Sequence, residues 1–172
     1  MKSRWGAGLL AAVLAGSALV PALGSMHRLE APVKAPPFTL PDLAGKSHRL
    51  EEYRGRVLVL SLWASWCLPC AYEIPEFARA RQKLAPRYPR AEFMTVNIGD
   101  GAEVARRWME QRRLSLPVLL GDIDFIDLYE VPVLPTILMI DAGGRVVATR
   151  AGWAEGEDLI ADLDQELGAL PH

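Results

Sequence analysis

Short apolar runs alternate with stretches of helical periodicity along most of this chain. Runs rich in Val, Ile and Leu predict strands at residues 56–62, 92–98, 117–120, 136–140 and 145–150. Apolar residues three and four apart predict helices from residue 68 onward and over 103–114, 123–129 and 158–167. Strands that alternate with helices and end in an antiparallel hairpin predict an α/β sandwich with a mixed central sheet.

The amino-terminal segment has a different pattern. Lys2 and Arg4 precede Gly6–Gly24, an uncharged stretch of 19 residues rich in Ala, Leu and Val. A positive start followed by such a stretch is typical of a secretory signal peptide or of a short membrane anchor. Both alternatives place the rest of the chain outside the cytoplasm, on the bacterial periplasmic side.

Three segments follow from these patterns. Residues 1–24 are predicted to be the signal peptide or N-terminal membrane anchor, and residues 25–37, with three prolines, an extended linker. Residues 38–172 form one domain, a size that allows a substantial core. The net charge is −2, and the chain has no basic run and no glycine-rich phosphate loop, so nothing indicates nucleic-acid binding.

The chain has two cysteines, Cys67 and Cys70, and they stand in a Cys-x-x-Cys arrangement. They lie where the 56–62 strand passes into the following helix. A helix N-terminus stabilises an anion, which lowers the pKa of a thiol placed there. We therefore expect Cys67 to be the nucleophile and Cys70, one turn further on, to be the more buried resolving thiol.

Two other interpretations of the cysteine pair stay open. A structural zinc site needs four ligands, and the only histidines are His27, His48 and His172, of which the first and last lie near the ends of the chain. A purely structural disulfide would close a very short loop and would restrain the unfolded chain little. A redox site is the third and favoured interpretation.

Several separated motifs resemble one known family. The string Trp-Ala-Ser-Trp-Cys-Leu-Pro-Cys at residues 63–70 resembles the active site of the thioredoxin superfamily, in particular of its TlpA/ResA type. The resemblance extends from about Pro37 to Leu167. Its other motifs are the 38–46 segment, similar to an entry hairpin, Glu73 and Pro75 after the cysteines, and residues 129–141 around Leu134-Pro135-Thr136.

The resemblance implies a thioredoxin-like three-layer α/β/α sandwich with an N-terminal β-hairpin and a central insertion. It implies a cis peptide bond at Pro135, packed beside a redox-active Cys67–Cys70 disulfide, and no other cofactor or metal. The residues expected to contact a protein substrate are Trp66, Leu68, Pro69, Leu134 and Thr136.

Glu73 has two interpretations. It lies three residues after Cys70, on the same side of the predicted helix, where a carboxylate of raised pKa could take the proton of the resolving thiol. It could equally be a surface residue favoured by the helix dipole. Thioredoxins carry a buried Asp six residues before the first cysteine, and this chain has Ser61 there, so either Glu73 or water must move the proton.

The predicted function is that of a periplasmic thiol–disulfide oxidoreductase. Its protein substrate carries a disulfide or dithiol, and a membrane electron donor reduces it again. By resemblance, the clients are the haem-binding cysteines of apocytochrome c or the thiols of copper-site assembly proteins. The alternatives are an oxidase that donates its disulfide, and a non-catalytic copper(I)-binding or docking module in cytochrome maturation.

Overall fold

The computed structural model describes residues 23–170, which form strands β1–β8 and helices α1–α4. The strands are β1 (Met26–Lys34), β2 (Thr39–Pro41), β3 (Ser47–Arg49), β4 (Val57–Trp63), β5 (Ala91–Ile98), β6 (Val118–Gly121), β7 (Thr136–Ile140) and β8 (Arg145–Ala151). The helices are α1 (Cys70–Leu84), α2 (Ala102–Gln111), α3 (Ile123–Leu128) and α4 (Leu159–Gly168), with a 3-10 helix at Leu50–Tyr53.

A mixed sheet of six strands carries the active-site segment near its centre. The strand order is β1-β8-β7-β4-β5-β6. Strands β4, β5 and β6 run parallel, and β7, β8 and β1 add to them in antiparallel pairs. Strand β4 is buried on both faces, which explains its almost uninterrupted apolar sequence.

Helices cover both faces of this sheet. On one face α1 and α4 pack against the apolar side chains of β4, β7 and β8, and α2 packs beside them around Trp63. On the other face the 3-10 helix and α3 enclose a second apolar cluster. The predicted three-layer α/β/α sandwich with a mixed central sheet is therefore confirmed.

The two additions expected beside the sheet are also present. Strands β2 and β3 pair as a separate antiparallel hairpin. Helix α2, strand β6 and helix α3 lie between β5 and β7 and form the central insertion. The predicted boundaries of these elements differ from the observed ones by a few residues at most, as expected where helix ends fray.

The linker predicted over residues 25–37 is wrong for most of its length. Residues 26–34 form β1, which pairs with β8 at the edge of the large sheet. Pro32 falls where the register between the two strands is irregular, a position at which an edge strand tolerates proline. The domain therefore begins about twelve residues earlier than the sequence pattern indicated.

The predicted leader lies outside the described residues except for its last two positions. Gly24 already belongs to the fold, because its backbone N–H donates to the Ala151 carbonyl at the end of β8. Within residues 23–170 no helix is both long enough and apolar enough to cross a membrane.

The assignment of β1 to the domain predicts a stability difference between two truncated proteins. Removing residues 1–34 leaves the edge of β8 unpaired, whereas removing residues 1–24 leaves β1 in place. At about 1 kcal/mol for each lost hydrogen bond, the free energy of unfolding should fall by about 3 kcal/mol or more in the shorter protein. Urea unfolding followed by tryptophan fluorescence measures the difference, and coincident unfolding curves would contradict the assignment.

Candidate active site

The two cysteines form a disulfide at the start of α1. Cys70 is the first residue of the helix, and its backbone N–H lies 3.2 Å from the Cys67 sulfur, to which it donates. Cys67 is 6% exposed, whereas Cys70 is fully buried. Cys70 is therefore the more buried of the two, as expected, and the Cys67 sulfur receives the helix amide. The assignment of Cys67 as the nucleophile stays a prediction.

Glu73 lies one helical turn below Cys70 and is fully buried. Its carboxylate accepts a hydrogen bond from the Ser61 hydroxyl at 3.0 Å and another from Arg150 Nη1 at 3.1 Å. Burial raises the pKa of Glu73 to about 7, although Arg150 and Ser61 act in the opposite direction. The interpretation of Glu73 as a surface residue is therefore wrong.

Ser61 explains how this chain differs from thioredoxins. Thioredoxins place a carboxylate on the strand at this position, whereas here the strand supplies only a hydroxyl. The Glu73 carboxylate comes from the helix and lies against that hydroxyl. This chain therefore also has a buried carboxyl group beside the strand position of Ser61, but helix α1 supplies it and strand β4 does not.

Arg150 is a functional candidate that the sequence analysis missed. Ile137 of β7 pairs with Ser61 of β4 on one side and with Arg150 of β8 on the other, so these positions lie in one row across the sheet. The Arg150 side chain is fully buried and forms an ion pair with Glu73. A charged residue two positions after the buried Ala148, on the same face of a strand whose other buried residues are apolar, is the signal that could have identified it.

The loop before β7 brings Pro135 to the same end of the sheet. The Leu134–Pro135 peptide bond is cis, as the family resemblance implied. Leu134 is partly buried and packs against the cluster that contains both cysteines. Thr136 is only 2% exposed, and its hydroxyl donates to the Val133 carbonyl at 2.7 Å, so its side chain shapes the loop and is not available to a substrate.

Large apolar side chains next to the disulfide are exposed to solvent. Trp66 and Leu68, on either side of Cys67, are 71% and 72% exposed, and Pro69 is exposed as well. Tyr72, which the sequence analysis did not select, is 60% exposed in the first turn of α1. Trp63 by contrast is fully buried, as expected of a core residue, with its ring 4.4 Å from that of Trp108.

A polar network fixes the segment that leads to Cys67. Asp100, in the loop after β5, accepts hydrogen bonds from the Ser65 backbone N–H at 2.7 Å and from its hydroxyl at 2.8 Å. The buried Asn97 donates to the same carboxylate at 2.8 Å. No sequence motif links Ser65 to Asp100, because these two residues are 35 positions apart in the chain.

Of the three histidines considered as metal ligands, His48 has other partners. His48 lies in the β2–β3 hairpin, with one ring nitrogen 2.9 Å from the Tyr53 hydroxyl and the other 3.1 Å from Asp42. Among residues 23–170, no group of three or more His, Cys, Asp or Glu side chains has the arrangement of a metal site. His172 lies outside the described residues.

Comparison with known proteins identifies the family. The model of the AhpC/TSA family matches residues 32–149, from within β1 to within β8. ResA of Geobacillus thermodenitrificans, a thiol-disulfide oxidoreductase, is 34% identical over 133 residues, which cover 76% of this chain and 74% of that protein. This chain belongs to the ResA-type thiol–disulfide oxidoreductases of the AhpC/TSA family.

Further comparisons agree with this assignment. ResA of Bacillus subtilis is 32% identical over 119 residues, 69% of this chain and 65% of the relative. A Chlorobium tepidum structure described as a thiol:disulfide interchange protein DsbE is 28% identical and superposes with a TM-score of 0.72 over 83% of this chain and 99% of that one. The expected activity, thiol–disulfide interchange by a Cys-x-x-Cys pair, is confirmed at the level of the family.

The buried Glu73 predicts a pH-dependent stability in this ResA-type protein. Burial raises the pKa of its carboxyl group from the ordinary 4.5 to about 7, so the folded state binds the proton more tightly than the unfolded state between these values. The free energy of unfolding should therefore fall as the pH rises from 4.5 to 7, and this fall should be smaller in Glu73→Gln. Urea unfolding of both oxidised proteins at several pH values measures it. Equal slopes would contradict the shift.

The Asp100 network predicts a second effect on stability. Asp100→Ala leaves two donors of Ser65 and one of Asn97 without their acceptor, so the free energy of unfolding should fall by about 2 kcal/mol. Asp127→Ala, an exposed position in α3, is the matched control and should change it by less than about 0.5 kcal/mol. Thermal or urea unfolding distinguishes the two, and similar losses would show that the network does not stabilise the loop.

Proposed function

We propose that this protein reduces disulfides in client proteins on the outer side of the cytoplasmic membrane. The backbone N–H of Cys70 directed at the Cys67 sulfur is the observation that carries the proposal. In the reduced protein the same amide and the α1 dipole favour a Cys67 thiolate, which is the attacking species in thiol–disulfide exchange.

The proposed reaction has two exchange steps. The Cys67 thiolate attacks a client disulfide, a bond forms between Cys67 and one client sulfur, and the other client sulfur leaves as a thiolate. The Cys70 thiolate then attacks the Cys67 sulfur, which forms the Cys67–Cys70 disulfide and releases the second client thiolate. The client gains two electrons, which the dithiol of this protein supplies.

Glu73 serves the second step in this proposal. Cys70 is fully buried, and burial in apolar surroundings raises the pKa of a thiol and keeps it protonated. The Glu73 carboxylate, on the same side of α1, takes this proton before Cys70 attacks. It later returns the proton to solvent or to the departing client thiolate. A pKa of about 7 suits a group that must both accept and release a proton near neutral pH.

The exposed apolar side chains support a protein client. Trp66, Leu68 and Tyr72 stand in solvent around the disulfide, with Pro69 beside them. An extended client segment would bury these side chains while its cysteine meets Cys67.

We propose as clients the haem-binding cysteines of apocytochrome c or copper-site assembly proteins. The leader predicted over residues 1–24 supports the outer location. A membrane dithiol donor would return two electrons after each cycle.

Cysteine variants test the order of the two steps. Cys70→Ser should accumulate a mixed disulfide between Cys67 and a disulfide-containing peptide, because no second thiol remains to resolve it. Cys67→Ser should form little mixed disulfide, since its remaining thiol, Cys70, is buried. Mass spectrometry of the unreduced products measures both. Equal trapping by the two variants would contradict the assignment of Cys67 as nucleophile.

The reduction potential tests the direction of electron flow. A value at or below about −270 mV, that of thioredoxin, is expected for a client reductant. A value near −120 mV, about that of a strong periplasmic oxidant, would instead identify a disulfide donor. The absence of a reversible two-electron couple, with tight stoichiometric copper(I) binding by the reduced protein, would identify a binding module.

A further inference from the structure

One buried guanidinium lies between two carboxylates that come from different helices. Arg150 Nη1 lies 3.1 Å from Glu73 Oε2 of α1, and Arg150 Nε lies 3.8 Å from Asp162 Oδ2 of α4. The contact of Arg150 with Glu73 is a hydrogen bond, whereas its contact with Asp162 is too long to be one. Within the described residues, neither Arg150 Nε, Arg150 Nη2 nor Asp162 Oδ2 has a hydrogen-bond partner.

This arrangement sets a condition for the protonation of Glu73. Arginine stays protonated in proteins, so the Arg150 charge is permanent. While Glu73 is ionised, the buried pair is neutral. When Glu73 takes a proton, Arg150 loses its buried counterion, and an unpaired charge in the interior is strongly unfavourable. Proton uptake by Glu73 therefore requires a second anion near Arg150.

Asp162 can supply that anion. Its side chain is 29% exposed, so it keeps contact with solvent, whereas Arg150 and Glu73 have none. Its Oδ2 needs to approach Arg150 Nε by less than an ångström to reach an ordinary hydrogen-bond distance from 3.8 Å. The Trp153 ring, whose centre is 5.4 Å from Arg150 Cζ, also faces the guanidinium.

We propose that Asp162 is a positioning residue that allows Glu73 to carry the proton of Cys70. When the proton moves from the Cys70 thiol to the Glu73 carboxylate, the Arg150 guanidinium exchanges its Glu73 contact for a hydrogen bond from Nε to Asp162. The reverse shift accompanies release of the proton. This inference rests on the proposed proton role of Glu73 and extends it to the second counterion.

The other charged groups around the three residues do not replace Asp162. Glu166, one turn further along α4, already pairs with Arg28 of β1 at 2.7 Å. Asp158 caps α4 and accepts from the N–H groups of Ile160 and Ala161. Burial raises the pKa of Asp162 while Arg150 lowers it, and the nearby Glu157 and Asp158 also raise it. Ser61, the remaining partner of Glu73, carries no charge.

The test compares variants of the full chain by the protonation of Glu73. Infrared difference spectra between the oxidised and reduced proteins report the carboxylic-acid C=O band, and Glu73→Gln identifies which part belongs to Glu73. In Asp162→Asn the midpoint pH of this band should fall by about one unit, a tenfold loss of proton affinity, because Glu73 becomes the sole counterion of Arg150. In Arg150→Gln the midpoint should rise.

Two further variants serve as controls. Asp164→Asn alters the same helix at a surface ion pair with Arg87, 2.6 Å long, and should leave the midpoint unchanged. Asp162→Glu restores the charge and should return the midpoint toward the wild-type value. A purely structural Asp162 would lower the melting temperature without moving the midpoint, and that result, or a rise in Asp162→Asn, would overturn the inference.

The kinetics separate this inference from the function on which it rests. Release of the client from the mixed disulfide is followed in single-turnover reactions with a disulfide peptide at several pH values. If Glu73→Gln releases it at the wild-type rate and with the wild-type pH profile, the proton role of Glu73 fails. If Glu73→Gln changes the profile but Asp162→Asn leaves it at the wild-type position, only the role of Asp162 fails. A parallel shift of the kinetic and infrared midpoints in Asp162→Asn supports both.

Discussion

The buried ion pair between Glu73 and Arg150 connects the elements around the active site. It joins the disulfide helix α1 to β8, across the intervening strand β7, and the Ser61 hydroxyl adds β4 to the same contact. Breaking a buried pair from one side leaves an uncompensated charge, so each partner depends on the other. The carboxyl group near the resolving cysteine is therefore held from three elements.

The rest of the site is built at one end of the central strands, where β4 and β5 end and β7 begins. Strand β4 ends four residues before Cys67, at the same end of the sheet at which β7 begins after the cis Leu134–Pro135 peptide bond. Asp100, after the parallel strand β5, reaches Ser65 from this edge because the carboxyl ends of parallel strands lie together. The loops that follow and precede these strands thus assemble the disulfide, its supporting network and the exposed apolar side chains.

The sequence predicted most of the secondary structure and the central chemistry. The apolar runs and the helical spacing located β4, α1 and the 136–140 strand, and the cysteine pair at a strand-to-helix junction indicated thiol exchange. One prediction failed and one choice stayed open, for a common reason. The linker became β1 because an edge strand is defined by its partner β8, and the choice between a buried and a surface Glu73 depended on Ser61 and Arg150, which are distant in the chain.

The sequence by itself therefore determined the fold class and the reactive pair, and it predicted the order of the two thiols, since these depend on local spacing and on the helix N-terminus. Only the tertiary structure decided which charges meet. Glu73, Arg150 and Asp162 are brought together by the order of strands in the sheet and by the packing of α1 and α4 on one face. Burial and the distance to Arg150 shift the pKa values of the two carboxyl groups, and no local pattern encodes either quantity.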